Sequence, residues 1–241
     1  MERERLEDVV ALARTVKGFM PDDEGDALLE AALCAGRAFP SGAQSAGDGP
    51  GSPVTMVEVG SWCGKSSLYL GAAAEATDSV LFCVDHHRGS MENQPGWEHH
   101  DPDLVDAGDG RIDTLPHWRR SVAAAQLEHC VIGMIGDSAT IASHWSTPLA
   151  FCFIDGGHGS VPAQADLAGW SRHVMEGGWL AIHDVFEDPS DGGRPPYEIW
   201  RFALDSGLWV QDGEQGSLKI LRRLRAKAEG GSAFTDIPGA C

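Results

Sequence analysis

An apolar run, Val54-Thr55-Met56-Val57-Glu58-Val59, leads into Gly60-Ser61-Trp62-Cys63-Gly64, and a helix-forming stretch follows from Lys65 to Ala74. This order predicts a strand, a sharp bend and a helix N-terminus at the carboxyl edge of a sheet, where open α/β folds bind ligands. Glycine at 60 and 64 leaves no Cβ in the way, so backbone can approach a flat or charged ligand closely. Glu58 would repel a phosphate and suits a ligand with an amino group or a sulfonium. The candidate cofactor contacts on this unit are Glu58, Gly60, Ser61, Gly64 and Ser66.

The same alternation continues downstream. Short apolar runs at 80–84, 131–135, 149–154 and 179–183 read as strands, with helical segments at 65–76, about 114–126, 138–144 and 161–174. Regular βαβ alternation predicts an α/β fold, a parallel sheet with helices on both faces. Trp209-Val210-Gln211 and Ser217 to Leu221 flank Asp212-Gly213-Glu214-Gln215-Gly216, a hairpin signature, so the last strands are expected to be antiparallel. Residues 4–38 read as amphipathic helix interrupted at Gly18-Phe19-Met20-Pro21, and 40–53 as a Gly/Pro/Ser-rich linker. The expected organisation is therefore a helical segment and linker over 1–53, a catalytic domain over 54–225 and a disordered tail over 226–241.

A net charge of −18 argues against nucleic acid and anionic membrane as partners, because phosphate binding needs a basic footprint. The expected substrate is a neutral or cationic small molecule or an oligosaccharide. No apolar run long enough to span a bilayer is present, and Met1-Glu2-Arg3-Glu4-Arg5 lacks a signal-peptide core, so a cytoplasmic location is expected. The six cysteines show no CxxC pairing, and neither structural zinc nor a disulfide is expected.

Charged and polar residues gather at the predicted strand ends. Asp85 closes the second strand, where an acceptor-only group can hold both ribose hydroxyls of a nucleoside, whether of a methyl donor or of NAD. Asp137 and Ser138 follow the third strand, where an adenine contact and an ordinary helix N-cap are both open. Asp155 and His158 follow the fourth strand, and His183-Asp184 the fifth. Adjacent parallel strands deliver these to one rim, and such an O/N set suits Mg²⁺ or another divalent cation. The long connection over 86–116 reads as a lid, with His86, Arg88, Asn93 and Trp97 as candidate substrate contacts.

The Glu58–Gly64 turn resembles motif I of the class I methyltransferases, which bind S-adenosylmethionine. From about 54 to 222 the chain is similar to the metal-dependent O-methyltransferases, the catechol O-methyltransferase-like and macrolide-sugar branches. The resemblance implies a Rossmann-like methyltransferase sheet closed by a C-terminal antiparallel hairpin. It implies Asp155 and Asp184 as metal ligands, with His183 as a third where the family more often has a carboxylate, and His158 as the general base. His144 and Tyr197 join the candidate acceptor contacts, His144 as a rival base, and a homodimer is expected. The Ile154–His158 and Ala181–Val185 patterns look closest to actinobacterial sugar O-methyltransferases. That implies methyl transfer to a sugar hydroxyl, a mannoside or the reducing-end 1-OH of a methylmannose polysaccharide precursor. Phenol, catechol or antibiotic methylation is the alternative, and a nicotinamide-dependent oxidoreductase is the rival from another class.

Overall fold

The structure is a computed structural model, and it describes residues 3–39, 54–97, 99–157 and 159–225. Helices α1 (Arg3–Thr15) and α2 (Asp22–Ala38) precede an alternation of β1 (Val54–Val59), α3 (Lys65–Ala76), β2 (Ser79–Asp85), α4 (Leu115–Ala124), β3 (Val131–Ile135), α5 (Ser138–Ser143), β4 (Leu149–Ile154), α6 (Ser160–Trp170) and β5 (Val174–Ile182). Helix α7 (Arg194–Asp205) and strands β6 (Trp209–Gln215) and β7 (Leu218–Arg223) complete the domain. The seven strands lie in the order β3-β2-β1-β4-β5-β7-β6. β1 to β5 pair in parallel, and β7 runs antiparallel between β5 and β6. The expected methyltransferase-type sheet is what forms.

Every residue of β1 and β4 is buried, because helices cover both faces. The period-2 alternation of a strand splits each between two cores. Met56, Phe151 and Phe153 meet α1, α2 and α3 on one face, whereas Val57, Cys152 and Ile154 meet α6 and α7 on the other. The N-terminal helices are thus part of the main core: Val9, Ala13, Leu28 and Ala32 are almost fully buried in it.

Several boundaries differ from the sequence expectation. The helix expected to reach 174 stops at Trp170, and a 3₁₀ turn, Ser171–His173, feeds a fifth strand that begins at Val174 rather than 179. Gly177, with φ +81°, lies inside this strand and hides its first half from an apolar-run reading. The hairpin turn is only Gly216-Ser217, because the polar residues Asp212 to Gln215 extend a largely exposed edge strand instead of forming a loop. Cys63, Cys83, Cys130 and Cys152 are free and buried. The linker over 40–53 and the tail over 226–241 lie outside the described residues. Among the described residues no helix is long and apolar enough to cross a membrane.

Candidate active site

Strand register builds the site. Val59 is level with Val84 on β2 and with Ile154 on β4, and Ile154 is level with Ile182 on β5. The next residues therefore emerge side by side at the carboxyl edge. Backbone bonds continue the pairing past the strands: Gly60 N–H donates to Val84 O at 2.9 Å, Asp155 N–H to Val59 O at 2.8 Å and His183 N–H to Ile154 O at 3.1 Å. The sheet changes direction of winding between β1 and β4, the position where α/β folds open a ligand crevice.

Gly60 has φ +86° and Gly64 φ +97°, so both occupy the left-handed region where a Cβ is strained. Asp85 organises the turn between them. Its Oδ2 accepts from the backbone N–H groups of Ser61 and Trp62, both at 2.9 Å, and its Oδ1 from His87 N–H at 2.7 Å. A carboxylate offers about four acceptor positions, so one remains for a hydroxyl beyond these three bonds. Ser61 is 1% exposed and its hydroxyl has no partner, an unsatisfied polar atom within the turn itself. Glu58 is fully buried, accepts from Ser67 Oγ at 2.5 Å, and its carboxyl is pushed up to about 7 by burial. Ser66 is buried beside it and helps hold that value down.

The acidic rim is centred on His183. One ligand atom each from Asp155, His183 and Asp184 can be chosen so that all lie within 4.8 Å of one another. His183 Nδ1 is 3.1 Å from Asp155 Oδ1 and 3.5 Å from Asp184 Oδ2, and Nε2 is 2.5 Å from Glu24 Oε2. Burial works against a charge on this ring, but Asp155 first, then Asp184 and Glu24, outweigh it and hold its basicity far above the usual imidazole range. Three carboxylates around one imidazole form a locus that demands positive charge. A protonated ring or a divalent cation satisfies it, and the O/N donor set fits a cation such as Mg²⁺ or Mn²⁺. Asp184 has φ +56°, an uncommon conformation of the kind that clusters at functional sites.

Two acidic residues of this region escaped the sequence reading. Glu24 sits in the run Asp22-Asp23-Glu24, which reads as ordinary compensation of a helix dipole. Asp166 on α6 is buried beneath the β4 loop, its carboxyl pushed up to about 6 by burial, and a Cβ on Gly156 would meet its Oδ2 at 2.8 Å. With Asp155, His183, Pro196 and Ile199 it lines a small cavity beside the cluster. No local signal reports either residue's direction, because only packing across the sheet sets it.

The other expected residues divide. Asp137 is an N-cap, accepting from Thr140 N at 2.8 Å, and Ser138 Oγ accepts from Trp170 Nε1 at 2.8 Å. The cap therefore exists, and neither side chain is held solely for a ligand. His144 is not brought to the rim: α5 leaves the carboxyl end of β3 and returns toward the amino end of β4, and His144 caps its far end. The connection expected over 86–116 ends at 114, just before α4. In it Asn93 is buried and its Oδ1 accepts from Ser90 N–H and Oγ, both at 2.8 Å, so it serves the loop itself. Arg88 pairs with Asp109 at 3.4 Å, His86 is exposed, and Trp97 is 56% exposed. Tyr197 stacks under Arg194, 3.9 Å from its ring centroid, one residue after the cavity-lining Pro196. His158 lies outside the described residues.

Solved structures share this fold at low identity. A methyltransferase of Podospora anserina, in a structure with SAH bound, is 10% identical with a TM-score of 0.58, covering 93% of this chain and 89% of its own. An O-methyltransferase from Bacillus cereus, also in complex with SAH, is 14% identical with a TM-score of 0.53, covering 93% and 92%. A TDP-rhamnose 3′-O-methyltransferase of calicheamicin biosynthesis is 12% identical with a TM-score of 0.55, covering 91% and 93%. The family described as a methyltransferase domain matches residues 57–185, from within β1 to the residue after Asp184. Because that match spans more than half of the sequence and includes Asp155, His183 and Asp184, this chain belongs to the methyltransferase-domain family.

Proposed function

We propose that this chain is an S-adenosylmethionine-dependent O-methyltransferase. Its acceptor is a sugar hydroxyl, assisted by a divalent cation held by Asp155, His183 and Asp184. One observation carries the reading: those three donors converge within 4.8 Å, on the same rim as the Gly60–Gly64 turn. The unpartnered hydroxyl of Ser61 and the remaining acceptor capacity of Asp85 fit a polar, hydroxyl-bearing cofactor at that turn.

When bound, the sulfonium donor supplies an electrophilic methyl group, and the cation supplies positive charge that favours an alkoxide over an alcohol. The chain's residues do the positioning. Asp85 would accept one ribose hydroxyl, Ser61 would contact the donor, and Asp155 and Asp184 would hold the cation with His183 Nδ1. The rim thereby orients one acceptor oxygen toward the methyl group. His158, three residues after Asp155, is proposed from its sequence position as the base that takes the hydroxyl proton. The connection over 86–114 would cover the acceptor and exclude water, with Trp97 as a stacking surface.

The sugar acceptor rests on the resemblance to actinobacterial sugar methyltransferases, and a fold neighbour that acts on TDP-rhamnose is consistent with it. The mycobacterial methylmannose polysaccharide 1-O-methyltransferase is the narrowest form of that resemblance, so its saccharide precursor is the first acceptor to test. A phenol, catechol or antibiotic hydroxyl is the second reading, and a homodimer is the expected assembly. Membership of a methyltransferase family and the antiparallel β7 favour methyl transfer over hydride transfer. Methyl transfer from labelled donor over mannosides, other glycans, phenols and small alcohols tests the proposal. Turnover confined to phenols would overturn the sugar acceptor.

A further inference from the structure

Among the described residues His183 is the imidazole of the acidic cluster, and its orientation is set from behind. Glu24, on the first turn of α2, is 4% exposed, and its Oε2 lies 2.5 Å from His183 Nε2. The β6–β7 turn fixes Glu24 in its place. Ser217 N–H donates to Oε1 at 2.6 Å and Ser217 Oγ to Oε2 at 3.3 Å. Gly216 has φ +52°, and a Cβ there would lie 2.1 Å from Glu24 Oε1. Its neighbours in the acidic run face outward instead: Asp22 pairs with Lys65, and Asp23 accepts from Gln215.

Both ring nitrogens face acceptor-only carboxylates, Nε2 at 2.5 Å from Glu24 and Nδ1 at 3.1 Å from Asp155. A cation bound among Asp155, Asp184 and Nδ1 would replace the Nδ1 proton while Nε2 keeps its own toward Glu24. Metal-binding histidines are commonly backed in this way, the second nitrogen donating to a carboxylate that fixes tautomer and ring plane. We propose that Glu24 is a positioning residue for the divalent-cation site, holding His183 with Nδ1 presented as a ligand atom beside Asp155 and Asp184. This rests on the cation reading given above and extends it to the N-terminal helices. Glu24 stands 159 positions before its partner in the sequence, and it makes the α2 helix and the closing hairpin parts of the site.

Mn²⁺ titration of the full chain, read by the electron paramagnetic resonance of free ion, tests this without turnover. Wild type should take up Mn²⁺, and Glu24→Ala should bind it about 10- to 100-fold more weakly, with SAH affinity and circular dichroism unchanged. Asp23→Ala, on the same turn of α2 but facing outward to Gln215, should leave Mn²⁺ affinity unchanged. Nitrogen-15 imidazole spectra of Mg²⁺-loaded wild type need no variant and should show His183 protonated on Nε2 alone. Equal Mn²⁺ affinity in folded Glu24→Ala would overturn this role while leaving the cation reading intact, and a proton on Nδ1 in the loaded protein would overturn both this role and His183 as a ligand. A wild type that takes up no Mn²⁺ would overturn this role and the cation reading together.

Discussion

A Cβ on Gly60 would lie 2.1 Å from the carbonyl oxygen of Asp155, so the turn after β1 and the loop after β4 are in backbone contact. The Gly60–Gly64 turn and the loop that carries Asp155 therefore pack directly on one another. A side chain at 60 would push the two apart, and the left-handed φ adds its own strain.

Gly60→Ala should accordingly cost about 1–2 kcal/mol from the backbone conformation alone, and more from the clash. Donor affinity should fall at least about tenfold, the equivalent of 1.4 kcal/mol. Thermal melting and SAH calorimetry check both. A variant with wild-type melting and wild-type affinity would mean that the turn does not shape the donor site.

Asp85→Ala removes the acceptor of three backbone N–H groups as well as the proposed ribose partner. Each buried donor left unsatisfied costs about 1–3 kcal/mol. Donor affinity should therefore drop by more than tenfold, and the amides of Ser61 and Trp62 should exchange faster. Asp85→Asn keeps one carbonyl acceptor and should recover part of both losses. Unchanged affinity in folded Asp85→Ala would remove this residue from the site.

Glu58 predicts a pH dependence. Its carboxyl stands at about 7 in the fold because of burial, against an ordinary value of 4.5. The folded chain then holds a proton that the unfolded chain has lost between these two values, so stability falls as pH rises through this window. The full difference is roughly 3 kcal/mol. Glu58→Gln, which cannot ionise, should be the more stable protein at pH 8 and lose its advantage near pH 4. Parallel stability curves for the two proteins from pH 4 to 8 would contradict this assignment.

Strands whose both faces are buried announce themselves as apolar runs, which is why β1 and β4 were legible residue by residue. Asp155, His183 and Asp184 were legible as strand-end residues, because parallel pairing must bring such positions to one rim. Glu24 and Asp166 were not, since their direction depends on packing across the sheet. The early start of β5 was masked by Gly177 and Gly178, and the length of β6 by its polar, edge-strand composition. His144 misled because its number places it near β4, while α5 carries it to the opposite edge.

The two rival histidines give a paired prediction. His158→Ala should lower kcat by about 10²–10⁴, the range for a lost general base, with SAH affinity unchanged. His144→Ala should stay within a few-fold of wild type, because its ring is bonded to Thr140 O and Ser143 at the far end of α5. Steady-state kinetics of both variants decide. Loss of activity in His144→Ala with a working His158→Ala would reverse the assignment.

The central claim, cation-assisted methyl transfer at Asp155, His183 and Asp184, is tested most directly by turnover of labelled donor in chelator. Metal content is followed by elemental analysis throughout. Turnover should vanish in EDTA and return with Mg²⁺ or Mn²⁺, and Asp155→Asn should need far more metal for the same rate. Full activity in protein shown to be metal-free would contradict the account.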